Sequence, residues 1–132
     1  MFKTKIFRVA YAITLAEGWY AAQPGTKYPI GSRSYRLHNP GNLRSSIYQI
    51  GQDDGFAVFE NDLVGIYAIV YQLTLYATGG SKNVKPTDTL ATAISKYSGT
   101  TIGTQNFNNY ISIIEKIGGV SRNDQVRSLL DN

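Results

Sequence analysis

The sequence predicts an α+β fold that is mainly helical. Several segments repeat their apolar residues at helical spacing, and one short pair of segments flanks an Asp-Gly turn typical of a hairpin. The chain has 132 residues, enough for one hydrophobic core and too few for two. We therefore expect a single domain over residues 1–132.

The first helix is predicted from about Lys3 to Ala16. Its apolar residues share one face, at Phe2, Ile6, Val9, Ala10 and Ile13. Basic residues precede this run, as in a signal peptide, but the run is short and is broken by Tyr11 and Thr14. We therefore interpret it as a helix and expect no cleaved signal peptide. No apolar run approaches the roughly 20 residues needed to span a bilayer.

The segment 20–43 is rich in Gly, Pro, Ser and Tyr and is predicted to be irregular. Long irregular segments in compact domains are commonly functional. A hairpin follows, with strands predicted at 46–50 and 56–59 around the Asp54-Gly55 turn.

The next helix is predicted to be the buried central one. Asn61 or Asp62 can cap its start, and Gly79-Gly80 can end it. Apolar residues cover most of its circumference, which is typical of a buried helix.

Three shorter helices complete the predicted fold. Thr87 or Asp88 is expected to cap one that runs through Lys96, and another spans about 106–117. Ser121–Asp124 resembles a capping box with Asp in place of Glu, which predicts a short last helix.

The amino-acid composition excludes several kinds of functional site. The net charge is +4, cysteine is absent and His38 is the only histidine. There is thus no thiol nucleophile and no cysteine metal site, and one histidine cannot build a zinc site alone. We expect no metal and no cofactor. The basic residues are scattered without a stripe, so the sequence does not favour nucleic-acid binding.

Glu17 is the candidate catalytic acid. It ends an apolar helix and is followed directly by Gly18, Trp19 and Tyr20. The helix dipole disfavours a negative charge there, and burial against apolar surface raises a carboxyl pKa. A protonated carboxyl can donate to a glycosidic oxygen. The alternative is a surface glutamate without a role.

The turn-rich segment Asn39–Arg44, called the cassette below, offers candidate substrate contacts. Pro40-Gly41 is explained by turn chemistry, which does not require the flanking Asn39, Asn42 and Arg44. The two amides and the guanidinium are therefore candidate contacts to the hydroxyl and acetamido groups of a sugar.

Other candidates are less specific. The simplest interpretation of Asp53-Asp54 is a hairpin turn. Asp54 is nevertheless the first candidate for a second catalytic carboxylate beside Glu17, and Asp53 is the second candidate or a substrate contact. The Tyr97 hydroxyl is a candidate partner of Glu17 or of substrate. Trp19 is a candidate for packing against a sugar face.

With these residues in view, the chain resembles the lysozyme-like superfamily, and more closely its phage and prophage peptidoglycan-degrading proteins. The Asn39–Asn42 cassette is the most specific likeness. The likeness continues through most of the chain in the same order, at Asp54–Phe59, the Gly65 helix with Leu73 and Tyr76, Ile94–Tyr97, Asn109–Ile111 and Gly119-Val120. His38 stands where many relatives have Asn, and Tyr97-Ser98-Gly99 replaces their Trp-Ala-Pro or Tyr-Asn.

The resemblance implies a lysozyme-like fold with a small hairpin between the first and central helices. It also implies cleavage of the β-1,4 bond between N-acetylmuramic acid and N-acetylglucosamine, with Glu17 as the acid and Asp53, Asp54 and Tyr97 lining the cleft. A lytic transglycosylase needs no second carboxylate and is slightly favoured. A lysozyme that uses Asp54, and an inactive glycan-binding module, stay open.

The partner that this resemblance implies is the peptidoglycan glycan strand. We expect a monomer, free or carried in a phage particle, that acts on the periplasmic cell wall. The route to the wall is open between a virion-associated protein and an endolysin made in the host cytoplasm.

Overall fold

A computed structural model describes residues 4–131, and it confirms a mainly helical α+β fold. The sheet has two antiparallel strands, β1 (Gly51–Asp53) and β2 (Phe56–Val58). The helices are α1 (Lys5–Ala16), α2 (Arg33–Arg36), α3 (Asp62–Thr78), α4 (Leu90–Ser98), α5 (Gln105–Gly118) and a final 3-10 helix (Val126–Leu130). None of the helices in the described part of the chain has the length and apolarity to cross a membrane.

Helix α1 lies in the core and packs against α5 and α3. Its buried residues Val9, Ala10, Ala12 and Ile13 are fully shielded from solvent. They join one cluster with apolar residues of the other helices, including Ile69, Leu73, Ile94, Ile111 and Ile114. The helix begins at Lys5, and its predicted start at Lys3 lies outside the described residues.

The ends of α3 are those predicted. The Asn61 side chain accepts a hydrogen bond from the Val64 N–H at 3.0 Å, and Gly79 ends the helix in the left-handed conformation. The prediction that this helix is buried around most of its circumference is confirmed, because buried and partly buried residues cover all of it except one face. Leu63 and Tyr67 lie on that face and are exposed.

The first strand of the hairpin lies later than predicted. Asp54 and Gly55 both have positive φ, at 51° and 79°, and form a two-residue turn. Such a turn pairs the residues that flank it directly, here Asp53 with Phe56. The strand is therefore 51–53, and 46–50 forms a turn in which the Ser46 N–H donates to the Gln49 side chain at 3.0 Å.

Two helix starts, those of α4 and of the final 3-10 helix, differ from the predicted ones. The cap of α4 is Thr89, whose side chain accepts from the Thr92 N–H at 3.2 Å. Asp88 accepts instead from the Lys85 N–H at 2.8 Å, in the preceding turn. Asp124 accepts from the Ser121 N–H at 2.9 Å, but this closes a turn, and the helix that follows is a 3-10 helix that starts at Val126.

The segment 20–43 is largely irregular, as predicted, but it contains one helical turn that the sequence analysis missed. Helix α2 is capped by Ser32, whose hydroxyl accepts from the Tyr35 N–H at 3.4 Å. A single turn with one capping serine carries too little periodicity to be recognised. It places Arg33 beside the cleft described below.

Helix α3 approaches the 38–40 turn closely at Gly65. A methyl group on Gly65 would overlap the His38 carbonyl oxygen and lie 2.5 Å from Pro40 Cδ. Only a hydrogen atom fits between the helix and the turn, so Gly65 sets how near the cassette lies to the helix.

We expect Gly65→Ala to destabilise the protein. Helix propensity alone would favour alanine by about 1 kcal/mol, but overpacking against backbone costs about 1 to 3 kcal/mol and should exceed it. Chemical denaturation would measure the difference. Gly51→Ala is the control, because a methyl group there meets nothing within 4 Å. A Gly65→Ala protein as stable as wild type would contradict the close approach.

Candidate active site

Glu17 lies at the C-terminal end of α1, where its N–H donates to the Ile13 carbonyl at 2.8 Å. Its half-buried side chain faces a cleft of about 540 Å³ between the cassette, β2 and the end of α4. The cleft is lined by Glu17, Arg33, Gly41, Asn42, Leu43, Arg44, Phe56, Lys96, Tyr97, Ser98 and Gly99. Glu17 therefore lies in a cavity and not on an open surface.

Burial raises the pKa of the Glu17 carboxyl, because low polarity disfavours its charged form. Two polar neighbours lower the pKa. The Tyr110 hydroxyl donates a hydrogen bond to Glu17 Oε2 at 2.6 Å, and the nearby Asn42 side chain also favours the charged form. Burial outweighs both, so the pKa stays above its ordinary value. This is the direction that a proton donor near neutral pH requires.

Tyr110 is the partner of Glu17 that the sequence analysis missed. It lies on the buried face of α5, and burial together with the Glu17 charge raises its own pKa well above the ordinary value. The phenol therefore stays protonated and acts as a donor. A tyrosine on an otherwise apolar helix face is a signal that could have been used, because a buried hydroxyl needs a partner. The identity of that partner, 93 residues away, was not predictable from spacing.

Tyr97 lines the cleft, but it does not hydrogen-bond Glu17. Its hydroxyl donates to the Gly41 carbonyl at 2.8 Å. A methyl group on Gly41 would overlap this hydroxyl and lie 2.5 Å from Ile69 Cγ1. Tyr97 therefore fixes the cassette against the α4 end of the cleft, which corrects the expectation that its hydroxyl bonds Glu17.

Asn39 lies beneath the surface of the cleft, inside the protein, and cannot contact a sugar. Its side chain is fully buried. Its Nδ2 donates to the carbonyls of Leu43 at 2.7 Å and Ala57 at 2.9 Å, and its Oδ1 accepts from the Leu43 N–H at 2.9 Å. The expectation of a direct substrate contact is therefore wrong, because these bonds occupy the amide inside the turn.

Asn42 and Arg44 do lie at the cleft, as expected. Asn42 has a φ of 51°, a left-handed conformation that Asn tolerates better than most residues, and this brings its amide to Glu17. The exposed Arg44 side chain places its guanidinium 4.6 Å from the centre of the Phe56 ring. Both side chains are within reach of a ligand in the cleft.

Asp53, Asp54 and Trp19 are not among the residues that line this cleft. Both aspartates are exposed at the tip of the hairpin. Trp19 packs edge to face on Tyr35 at 5.2 Å and lines a separate apolar cavity of about 300 Å³ near Leu15. Gly18, with a φ of 76°, turns the chain between Glu17 and Trp19. Trp19 therefore does not line the Glu17 cleft, and its contact with a sugar stays a prediction.

The sequence analysis also missed Arg33, Phe56 and Lys96, which line the cleft. The Arg33 guanidinium lies 3.6 Å from the centre of the Phe56 ring. A basic residue in a one-turn helix and an aromatic residue in a strand give no sign in sequence that they meet.

A second, smaller cavity adjoins the first. It has a volume of about 220 Å³ and is lined by Glu17, Gly18, Tyr28, Ser32, Arg33, Ser34 and Asn42. Three of these residues, Glu17, Arg33 and Asn42, also line the larger cleft. Glu17 thus borders both cavities.

No group of three or more His, Asp or Glu side chains within residues 4–131 is arranged to hold a metal ion. His38 Nδ1 instead lies 3.0 Å from Asp62 Oδ1 on the surface, outside the cleft.

We expect Glu17→Gln to stabilise the protein at neutral and alkaline pH. The folded state raises the pKa of Glu17. The contribution of this carboxyl to the free energy of unfolding is therefore complete at low pH and is lost as pH rises through the raised pKa. Glutamine never ionises and can still accept from Tyr110. The melting temperature of the variant should therefore exceed that of wild type by an amount that grows with pH. Glu60→Gln, at an exposed position, controls for the loss of one carboxylate. A variant that melts below wild type at pH 8 would count against a desolvated Glu17.

No family model matches the chain, and neither a curated protein nor a solved structure matches it. The function must therefore be argued from the geometry around Glu17.

Proposed function

We propose that the protein is a peptidoglycan glycosidase of lysozyme-like fold that cleaves the β-1,4 bond between N-acetylmuramic acid and N-acetylglucosamine. The observation that carries the proposal is the position of Glu17, a carboxyl with a raised pKa that borders two cavities. A glycosidic bond has a sugar on each side, so its catalytic acid needs ligand space on both sides.

Glu17 supplies the proton in the first step. Its carboxyl donates to the oxygen that leaves with N-acetylglucosamine, while positive charge develops at C1 of the muramyl sugar. Tyr110 holds the carboxyl in place by its hydrogen bond, and Tyr110 and Asn42 stabilise the carboxylate that remains after proton transfer.

For the second step of the reaction, the residues that line the cleft favour transglycosylation over hydrolysis. Among residues 4–131, Glu17 is the only carboxylate that lines either cavity. Hydrolysis by the usual routes uses a second carboxylate, about 5 to 9.5 Å from the first. In transglycosylation the muramyl C6 hydroxyl attacks C1, and the Glu17 carboxylate takes the hydroxyl proton. A 1,6-anhydro sugar forms, and Glu17 is again protonated.

The proposed place of action is the bacterial cell wall, with the glycan strand as the partner.

We expect Glu17→Gln to abolish the release of soluble fragments from purified peptidoglycan. Removing a general acid costs about 10² to 10⁴ in rate, and here the same residue also serves as the base. Mass spectrometry of the wild-type products should show 1,6-anhydro ends. Reducing ends would mean hydrolysis and would support Asp54 or Asp53 as a second catalytic carboxylate.

Two other outcomes would contradict the proposal. Wild-type protein that pellets with peptidoglycan and releases nothing would indicate a binding module. An active Glu17→Gln protein would refute the assignment of Glu17 as the acid. Glu60→Gln is the matched control.

We expect Tyr110→Phe to move the alkaline limb of the activity profile to higher pH. The Tyr110 hydrogen bond lowers the pKa of Glu17, so its loss raises that pKa and keeps the acid protonated further into the alkaline range. The maximal rate should fall, because the carboxyl loses a positioning contact. Rates measured across pH would show both effects. Tyr67→Phe, on the exposed face of α3, should change neither. A limb that stays in place or moves to lower pH would show that this bond does not tune Glu17.

A further inference from the structure

The larger cavity carries more positive charge than a neutral sugar requires. Arg33, Arg44 and Lys96 line it together with the single carboxylate of Glu17. The ion pairs found within residues 4–131 join His38 to Asp62 and Arg122 to Glu115, and none involves these three cations. The cavity therefore has a surplus of unneutralised cations.

Phe56 holds two of these cations in place. Its ring lies in β2 and is almost fully buried, with the guanidinium groups of Arg33 and Arg44 3.6 Å and 4.6 Å from its centre. A contact with an aromatic ring leaves the charge of a guanidinium in place, so the group can still bind an anion. The ring thus keeps two cations together without neutralising them.

Arg33 is the cation that lines both cavities together with Glu17, so an acceptor bound by its guanidinium would lie beside Glu17. Its Nε is buried and has no hydrogen-bond partner, so a ligand in the cavity would be bound by the terminal nitrogens of the guanidinium.

We propose that Arg33, Arg44 and Lys96 bind a carboxylate on the branch of the muramyl sugar, and that this contact selects acidic glycan strands over neutral ones. This inference rests on the function proposed above. A carboxylate matches the paired donors at the edge of a guanidinium, which hydroxyl and acetamido groups of a neutral sugar do not.

The two cavities differ in volume and in charge. The larger one, of about 540 Å³, is lined by all three cations. The smaller one, of about 220 Å³, is lined by only one of them, Arg33, together with Tyr28, Ser32 and Ser34. The strand would therefore lie with its muramyl residue in the larger cavity and N-acetylglucosamine in the smaller one.

The carboxylate could come from two places on the branch, and three probes separate them. Chitin oligosaccharides carry no carboxylate. Strands stripped of peptide by an amidase carry the lactyl carboxylate, and intact soluble strands carry the carboxylates of the stem peptide. Binding is measured by calorimetry on the full-length Glu17→Gln protein, so that nothing is cleaved.

We expect at least one of the two acidic strands to bind about tenfold more tightly than the chitin oligosaccharide of equal length, the size typical of a charge-assisted hydrogen bond. The tighter of the two identifies the carboxylate. Adding Arg44→Gln should remove most of the preference, and added salt should weaken it. Arg33→Lys, which keeps the charge but loses the planar fork, should reduce it. Arg127→Gln removes the same charge from an exposed position outside the cleft and should preserve it.

Equal affinity for all three probes, or a preference that survives Arg44→Gln and Arg33→Lys together, would overturn the inference. Wild-type cleavage of intact strands is scored separately. Cleavage without the binding preference removes the inference and keeps the function. A preference without cleavage removes the function and keeps the carboxylate site.

Discussion

The buried amide of Asn39 is the contact on which the rest of the site depends. It joins the turn at Leu43 to β2 at Ala57 by three hydrogen bonds in the interior. Leaving such groups unpaired would cost about 1 to 3 kcal/mol each, so the turn and the strand are held as one unit. The turn carries Asn42 and Arg44, and the strand carries Phe56. A side chain that touches no ligand therefore sets the positions of those that line the cleft.

In the proposed reaction, Glu17 must meet two conditions that oppose each other. Its carboxyl must be desolvated to remain an acid, yet it must be held firmly enough to donate in one direction. Burial alone would raise the pKa, and hydrogen bonds alone would lower it. Burial meets the first condition and Tyr110 the second, because its buried phenol stays protonated and orients the carboxyl without adding a charge. The cost is a carboxylate that is disfavoured in the fold at high pH, a common form of the trade-off between stability and activity.

Local signals in the sequence predicted local features well. Asn61 and Gly79 mark the ends of α3 because a capping side chain and a left-handed glycine act within one turn of the chain. Thr89 was missed because three adjacent residues can cap a helix, and the choice is coupled to the distant pairing of Thr89 with Gln125. The same limit applies to the site. The sequence identified Glu17 and Asn42, but it could not show that Asn39 faces inward or that Tyr110 meets Glu17, since both depend on packing between distant segments.

The charges of the cleft connect the proposed chemistry with the proposed ligand. Positive charge develops at C1 during glycosidic cleavage, and unneutralised cations at Arg33, Arg44 and Lys96 would oppose it. A substrate carboxylate bound by these cations would relieve this effect, because it neutralises them before the bond breaks. A neutral sugar would leave the effect in place. In the proposed complex, recognition of the acidic branch therefore also favours the development of charge at C1.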